Sequence, residues 1–167
     1  MFSIRRNEPE DYTAISSIVE KTWHTTSIIT RGKLYHISSL EGFLAEDASG
    51  IIGVLLYRIA DSECEIILLQ SLKENLGVGT GLLKEVITHA KKEGCKRIWL
   101  ITTNDNTSAM HFYQRRGFIF AAIHINAMQI SRQMKPQIPL TGIDGIPLRD
   151  EIEMEYPFII EMNKEVL

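Results

Sequence analysis

Residues 69–83 read LQSLKENLGVGTGLL, an apolar strand end, a polar turn and three glycines that lead into a leucine-rich helix. A helix start leaves N–H groups without intrahelical partners, and these point outward with partial positive charge. Glycines let a phosphate approach such backbone closely. The segment therefore suits a pyrophosphate held by main-chain amides, although glycine pairs also open helices as plain turns. A Walker loop needs Gly-Lys-Ser/Thr, whereas Gly81 is followed by Leu82. A dinucleotide fingerprint needs G-x-G-x-x-G in a βαβ unit, whereas these glycines run G-x-G-x-G after strands that look antiparallel.

A second group follows at residues 104–118, NDNTSAMHFYQRRGF. Asn106 is placed to cap a helix beginning at Thr107. Tyr113 lies two turns further along, where its hydroxyl could reach the end of a pocket between two strands. A phenol there can donate a proton to a leaving thiolate. The plainer alternative is a core tyrosine.

Local patterns supply the elements that must carry these residues. Residues 3–6 read as a first strand. Asn7 is placed to cap a helix with Pro9, Glu10 and Asp11 in or near its first turn and Tyr12, Ile15 and Val19 at helical spacing. Residues 24–40 look irregular or weakly helical. Residues 43–46, 51–59 and 64–69 read as an antiparallel meander, with turn residues at 47–50 and near Asp61 and Ser62. The pattern then changes. Residues 77–93 form a helix with Leu82, Leu83, Val86, Ile87 and Ala90 on one face, closed by Gly94. Residues 97–102 are a strand, 107–116 a helix ended by Gly117, and 118–125 another strand. That alternation implies that part of the sheet is parallel. Residues 128–149 hold Pro136, Pro139, Pro147, Gly142 and Gly145 and read as a long loop, functional or merely an insertion, before a last strand at 151–156.

The chain has 167 residues, enough for a single domain over 1–167. Its formal net charge of -3 gives no sign of a nucleic-acid surface, and no apolar run reaches the roughly 18 residues of a membrane span. Nothing at residues 1–12 resembles a secretion signal, so a cytoplasmic protein is expected. Cys64 and Cys95 form no C-x-x-C pair, and no histidines show H-E-x-x-H spacing, so no metal is expected. Two buried thiols are expected, with a disulfide between them as the alternative.

Together, Gly77-Val78-Gly79 before a leucine-rich helix and N-x-x-A-x-x-x-Y-x-x-x-G-F at Asn106, Ala109, Tyr113, Gly117 and Phe118 resemble the GNAT superfamily of N-acetyltransferases. The likeness covers about residues 3–125. It implies an α/β (α+β) fold: a GNAT-like mixed central sheet with antiparallel N-terminal strands, a splayed parallel pair in the middle and flanking helices. It also implies acetyl-CoA as co-substrate. The pantetheine arm would pair with backbone at Leu69 and Ser71. The pyrophosphate would lie on the amides of Asn75, Leu76, Gly77, Val78, Gly79 and Thr80. Asn106 and Ala109 would contact the cofactor arm, and Tyr113 would be the general acid toward sulfur. One departure stands out: the family loop usually opens with Gln or Arg, and here that position is Glu74, with Lys73 beside it to offset the acid. The resemblance further implies a homodimer.

Transfer to an amine needs a base that takes the ammonium proton, often through water. Glu63 and Glu65 share a strand face by period-2 alternation, and the base could be either. The acceptor, a small-molecule or peptide amine, should meet the variable parts. Candidates are Trp23, Arg31 and the loop around Arg132 and Lys135. Arg31, beside Gly32, could hold a carboxylate or phosphate. A GNAT-like module that binds acyl-CoA without turnover is the alternative to an enzyme.

Overall fold

The computed structural model describes residues 1–158. Its sheet grows from one edge as a meander. Strand β1 (Ser3–Arg6) pairs antiparallel with β4 (Glu41–Asp47), which pairs with β5 (Gly50–Ala60), which pairs with β6 (Glu63–Ser71). Polar turns set these hairpins. Asp47 accepts the Ser49 N–H at 2.8 Å, and Asp61 and Ser62 both adopt positive φ (53° and 61°), the twist a two-residue hairpin needs.

Helix α2 (Val78–Lys92) then crosses one face, and β7 (Arg97–Thr103) enters parallel to β6. The apolar stripe Val78, Leu82, Leu83, Val86 and Ala90 is buried against Phe43, Leu55, Cys64, Ile66 and Ile98. On the opposite face α1 (Tyr12–Trp23) buries Ile15 and Val19 against Leu44, Val54, Leu56 and Leu68. Helix α3 (Thr107–Gln114) leads to β8 (Ile119–His124). The final strand β9 (Glu151–Pro157) inserts between β7 and β8, antiparallel to both, giving the order β1-β4-β5-β6-β7-β9-β8. Parallel pairing is thus confined to β6–β7.

The expected mixed sheet with a parallel middle pair is present, as are α2, β7, α3 and β9 to within a few residues. Three expectations are corrected. Asn7 caps no helix: its side chain bonds Leu40 O and Gly42 N (3.2 and 2.7 Å), fixing the entry to β4, while a 3-10 turn at Pro9–Asp11 precedes α1. Residues 24–40 are not irregular. They hold a hairpin, β2 (Ser27–Thr30) and β3 (Lys33–His36), closed by Arg31 and Gly32 at positive φ. Residues 128–149 are not all loop, because α4 (Ala127–Met134) occupies the start and stops before Pro136, whose ring disfavours helix at Lys135. Cys64 and Cys95 are buried free thiols, as expected, and burial pushes Cys64 up to about 12.

Gly53 shows how closely α2 lies on the sheet. A Cβ there would collide with Val78 Cγ1 and stand 3.0 Å from Leu82 Cδ1. Gly53→Ala is expected to cost about 1–3 kcal/mol by overpacking. A thermal melt should show a midpoint lower by several degrees, and an unchanged midpoint would mean that α2 shifts freely.

Candidate active site

The parallel pair does not stay together. Pairing runs only from Glu63↔Arg97 to Ile66↔Leu100, while β6 continues to Ser71 and β7 to Thr103. Among the described residues, 67–71 therefore have no strand partner on the β7 side, and their N–H and C=O groups there line a wedge between the strands. The cause is local. Leu56 pairs with Leu68 but Tyr57 with Ile66, so Ile67 is an extra residue, a β-bulge. It reverses the facing of everything after it. Cys64 and Ile66 face α2, Leu68 faces α1, and Leu69 returns to the α2 side, where it packs on the same cluster as Tyr113.

The wedge leads to the glycine turn. Asn75 (φ 60°) and Gly77 (φ 75°) adopt left-handed conformations, Gly77 at the N-cap of α2. The first intrahelical bond is Gly81 N–H to Gly77 O (2.9 Å), so the amides of Val78, Gly79 and Thr80 have no intrahelical partner. The three glycines have separate jobs. Gly77 supplies positive φ, while a Cβ at Gly79 would stand 3.2 Å from the Phe112 ring and one at Gly81 3.0 Å from Ile4. Gly79 therefore lets α3 pack against α2, and the phosphate-binding character lies in the amides. Lys73 does not offset Glu74: it is paired with Asp47 at 2.5 Å, holding that carboxyl well below its usual range, and with Ser49.

Asn106 caps α3 as expected, its Oδ1 accepting Ala109 N–H at 3.1 Å. Tyr113 is buried between Phe112 and Phe118 (ring centroids 5.1 and 5.2 Å). Its hydroxyl makes no hydrogen bond with the described residues, and burial pushes its ionisation upward, so it is held protonated as a donor. Arg116 lies behind the turn. Its Nε and Nη2 donate to Thr80 Oγ1 (3.0 and 2.7 Å), Nη1 donates to Phe112 O (2.7 Å), and its guanidinium stacks 3.6 Å from the Phe112 ring centroid.

On the α1 side of the sheet the two carboxylates part company. Glu63 is half-exposed and bonded to Arg97 (3.0 Å), which also holds Glu153 and Glu155 (2.8 Å each). Glu65 is 5% exposed and accepts the Tyr35 hydroxyl at 3.0 Å. Burial raises its carboxyl above the ordinary range, against the Tyr35 hydrogen bond and the charges of Arg58 and Lys33. The hairpin bearing Tyr35 also reaches β9, with Arg31 N–H donating to the buried Glu151 (3.2 Å). The Arg31 side chain is exposed, and Trp23 ends α1 at 52% exposure beside Thr22, which bonds Gln70. Arg132 is engaged with the carbonyls of Ile138, Pro139 and Leu148, and Lys135 with Thr25 and Ser27, so both serve structure. Tyr35, Arg116 and the carboxylates of β9 were not singled out from sequence. Glu151-x-Glu153-x-Glu155 did carry a signal, three acids on one face of a strand. Among the described residues no helix is long and apolar enough to cross a membrane.

The sequence model of the acetyltransferase (GNAT) family matches residues 4–118. The chain belongs to that family. It is 45% identical over 139 residues to YdhI of Bacillus subtilis strain 168, covering 83% of this chain and 87% of that protein. YxbD of the same organism is 37% identical over 139 residues, with the same coverage of both chains. Among solved structures, a GNAT acetyltransferase from Elizabethkingia anophelis with acetyl-CoA bound is similar in fold, with a TM-score of 0.68 at 22% identity, covering 94% of this chain and 98% of that one.

Proposed function

We propose that this GNAT protein is an N-acetyltransferase that moves an acetyl group from acetyl-CoA to a primary amine by direct attack on the thioester. The observation that carries the reading is the β6–β7 wedge opening onto the unpartnered amides of α2. The pantetheine arm would pair with backbone at Leu69 and Ser71 and pass Asn106 and Ala109. The pyrophosphate would sit on the amides of Asn75, Leu76, Gly77, Val78, Gly79 and Thr80. The fold-related Elizabethkingia structure has acetyl-CoA bound, which supports acetyl-CoA as the co-substrate.

In the reaction the amine nitrogen forms a bond to the thioester carbon and the carbon–sulfur bond breaks. Glu65 takes the proton from the amine, directly or through water, and Tyr113 gives one to the departing sulfur. Glu65 suits the base because no cation among the described residues is in direct contact with it, whereas Glu63 is committed to Arg97. The acceptor would enter on the α1 side, past Trp23 and the hairpin bearing Arg31. Glu65 and Glu151 on that side favour an amine carried by a small molecule or peptide of net positive charge.

Thermal melting with acetyl-CoA, NAD and ATP tests the reading. Acetyl-CoA at about 100 times its dissociation constant adds roughly 2.7 kcal/mol, expected as a rise of several degrees. NAD and ATP should give none. No rise with millimolar acetyl-CoA would sink the proposal, and a rise without CoA release across an amine panel would mark a binding module that does not turn over.

A further inference from the structure

We infer that Arg116 is a positioning residue for the acetyl-CoA phosphates, because it fixes the Thr80 hydroxyl as a donor beside the first-turn amides of α2. The inference rests on the acetyl-CoA reading above. Thr80 Oγ1 accepts two N–H groups from one guanidinium, at 3.0 and 2.7 Å, so the lone-pair side of the oxygen faces the cation. Its own proton must then point away from the cation, and no described side chain or carbonyl takes it. The hydroxyl lies on the third residue of α2, within the turn whose amides are also unpartnered. A cation bound to a hydroxyl oxygen polarises it and strengthens its outgoing bond. A phosphoryl oxygen is the kind of acceptor that such a polarised hydroxyl suits.

Two further observations point the same way. Arg116 is half-buried, and no carboxylate among the described residues pairs with it, so its charge has only a hydroxyl, a carbonyl and an aromatic face for company. Phe112 is held by that guanidinium and would itself meet a Cβ at Gly79 at 3.2 Å. One side chain therefore sets both the direction of the Thr80 hydroxyl and the seating of α3 on the first turn of α2.

The test is equilibrium binding of CoA to the full chain, with kcat and KM for acetyl-CoA measured alongside, at a temperature where melting curves show each variant folded. Arg116→Met and Thr80→Val are each expected to weaken CoA binding about tenfold and raise KM in step, with kcat at saturating acetyl-CoA within about twofold. The double variant should be no worse than Arg116→Met alone, because Thr80→Val removes only a contact that Arg116→Met has already broken. Thr80→Ser keeps the hydroxyl and should bind as wild type. Arg116→Lys keeps the charge but loses the fork and should resemble Arg116→Met. Multiplying losses in the double variant, wild-type binding by Arg116→Met, or wild-type binding by Arg116→Lys would each overturn the inference. If Arg116→Met does not fold, Thr80→Val and Arg116→Lys decide it. A wild-type protein that binds no CoA overturns the acetyl-CoA reading and this inference with it, whereas CoA binding that Arg116→Met leaves intact overturns this inference alone.

Discussion

Glu65→Gln is expected to lower kcat/KM by about a hundredfold to ten-thousandfold, the usual contribution of a positioned proton acceptor, and to erase the acid limb of the pH–rate profile. Only the ionised carboxylate can accept a proton. Burial raises the Glu65 carboxyl foremost, Glu153 adds to the rise, and Tyr35, Arg58 and Lys33 pull against it. Activity should therefore disappear as pH falls through a value above the ordinary carboxylate range. The sign for stability is opposite. A carboxyl raised in the folded state favours the protonated form. Its contribution is fully present below the unfolded value and is lost as pH rises through the folded one. Gln accepts the Tyr35 hydroxyl equally well and has no charge to bury, so this part of the pH dependence of melting should flatten. Glu63→Gln is the comparison. It loosens one contact of Arg97, which keeps Glu153 and Glu155, and should cost far less. An acid limb that survives in Glu65→Gln, or equal losses in the two variants, would remove Glu65 from the role.

Tyr113→Phe should cut kcat about a hundredfold while leaving KM for acetyl-CoA and the melting temperature nearly unchanged. The ring is enclosed by Phe112 and Phe118, and Phe has the same shape there. The hydroxyl makes no hydrogen bond with the described residues, so its removal strands no partner and spares the cost of a buried unpaired polar group. A change in turnover without a change in folding would then report chemistry. Steady-state rates with an accepting amine decide it: unchanged kcat assigns Tyr113 to the core and leaves the sulfur to be protonated by water.

What was legible in the sequence were features with strong local signals. Helix α2 shows a five-residue apolar stripe with Gly94 behind it, and α3 has Asn106 in front and Gly117 behind. The hairpin β2–β3 escaped notice because its strands have four residues each and its turn places Arg31, an unusual residue for positive φ, before Gly32. Helix α4 escaped because Pro136, Pro139 and Pro147 dominate its neighbourhood, while it buries only Met128 and Ser131. The site divides in the same way. Tyr113, Asn106 and the glycine turn lie in contiguous motifs. The distinction between Glu63 and Glu65 does not, since it depends on Arg97, Glu153, Glu155 and Tyr35, which arrive from other strands. The Lys73 ion pair is hidden for a related reason: its partner Asp47 is 26 residues away in sequence.

The insertion of β9 between β7 and β8 has a consequence for the growing chain. Strand β7 is synthesised some fifty residues before the partner that covers its free edge, and β8 has no place to attach until that partner exists. A ribosome-bound chain stopped short of residue 151 would display an open edge on β7 and a loose β8 bearing Ile119, Phe120 and Ile123, features that invite pairing with other chains. It would also lack the Glu151 and Glu153 carboxylates of β9. Long-range closure of this kind slows the final collapse. The carboxylates of β9 and the completed sheet therefore arrive together, after the β6–β7 wedge, so nascent chains truncated before residue 151 are expected to carry no activity.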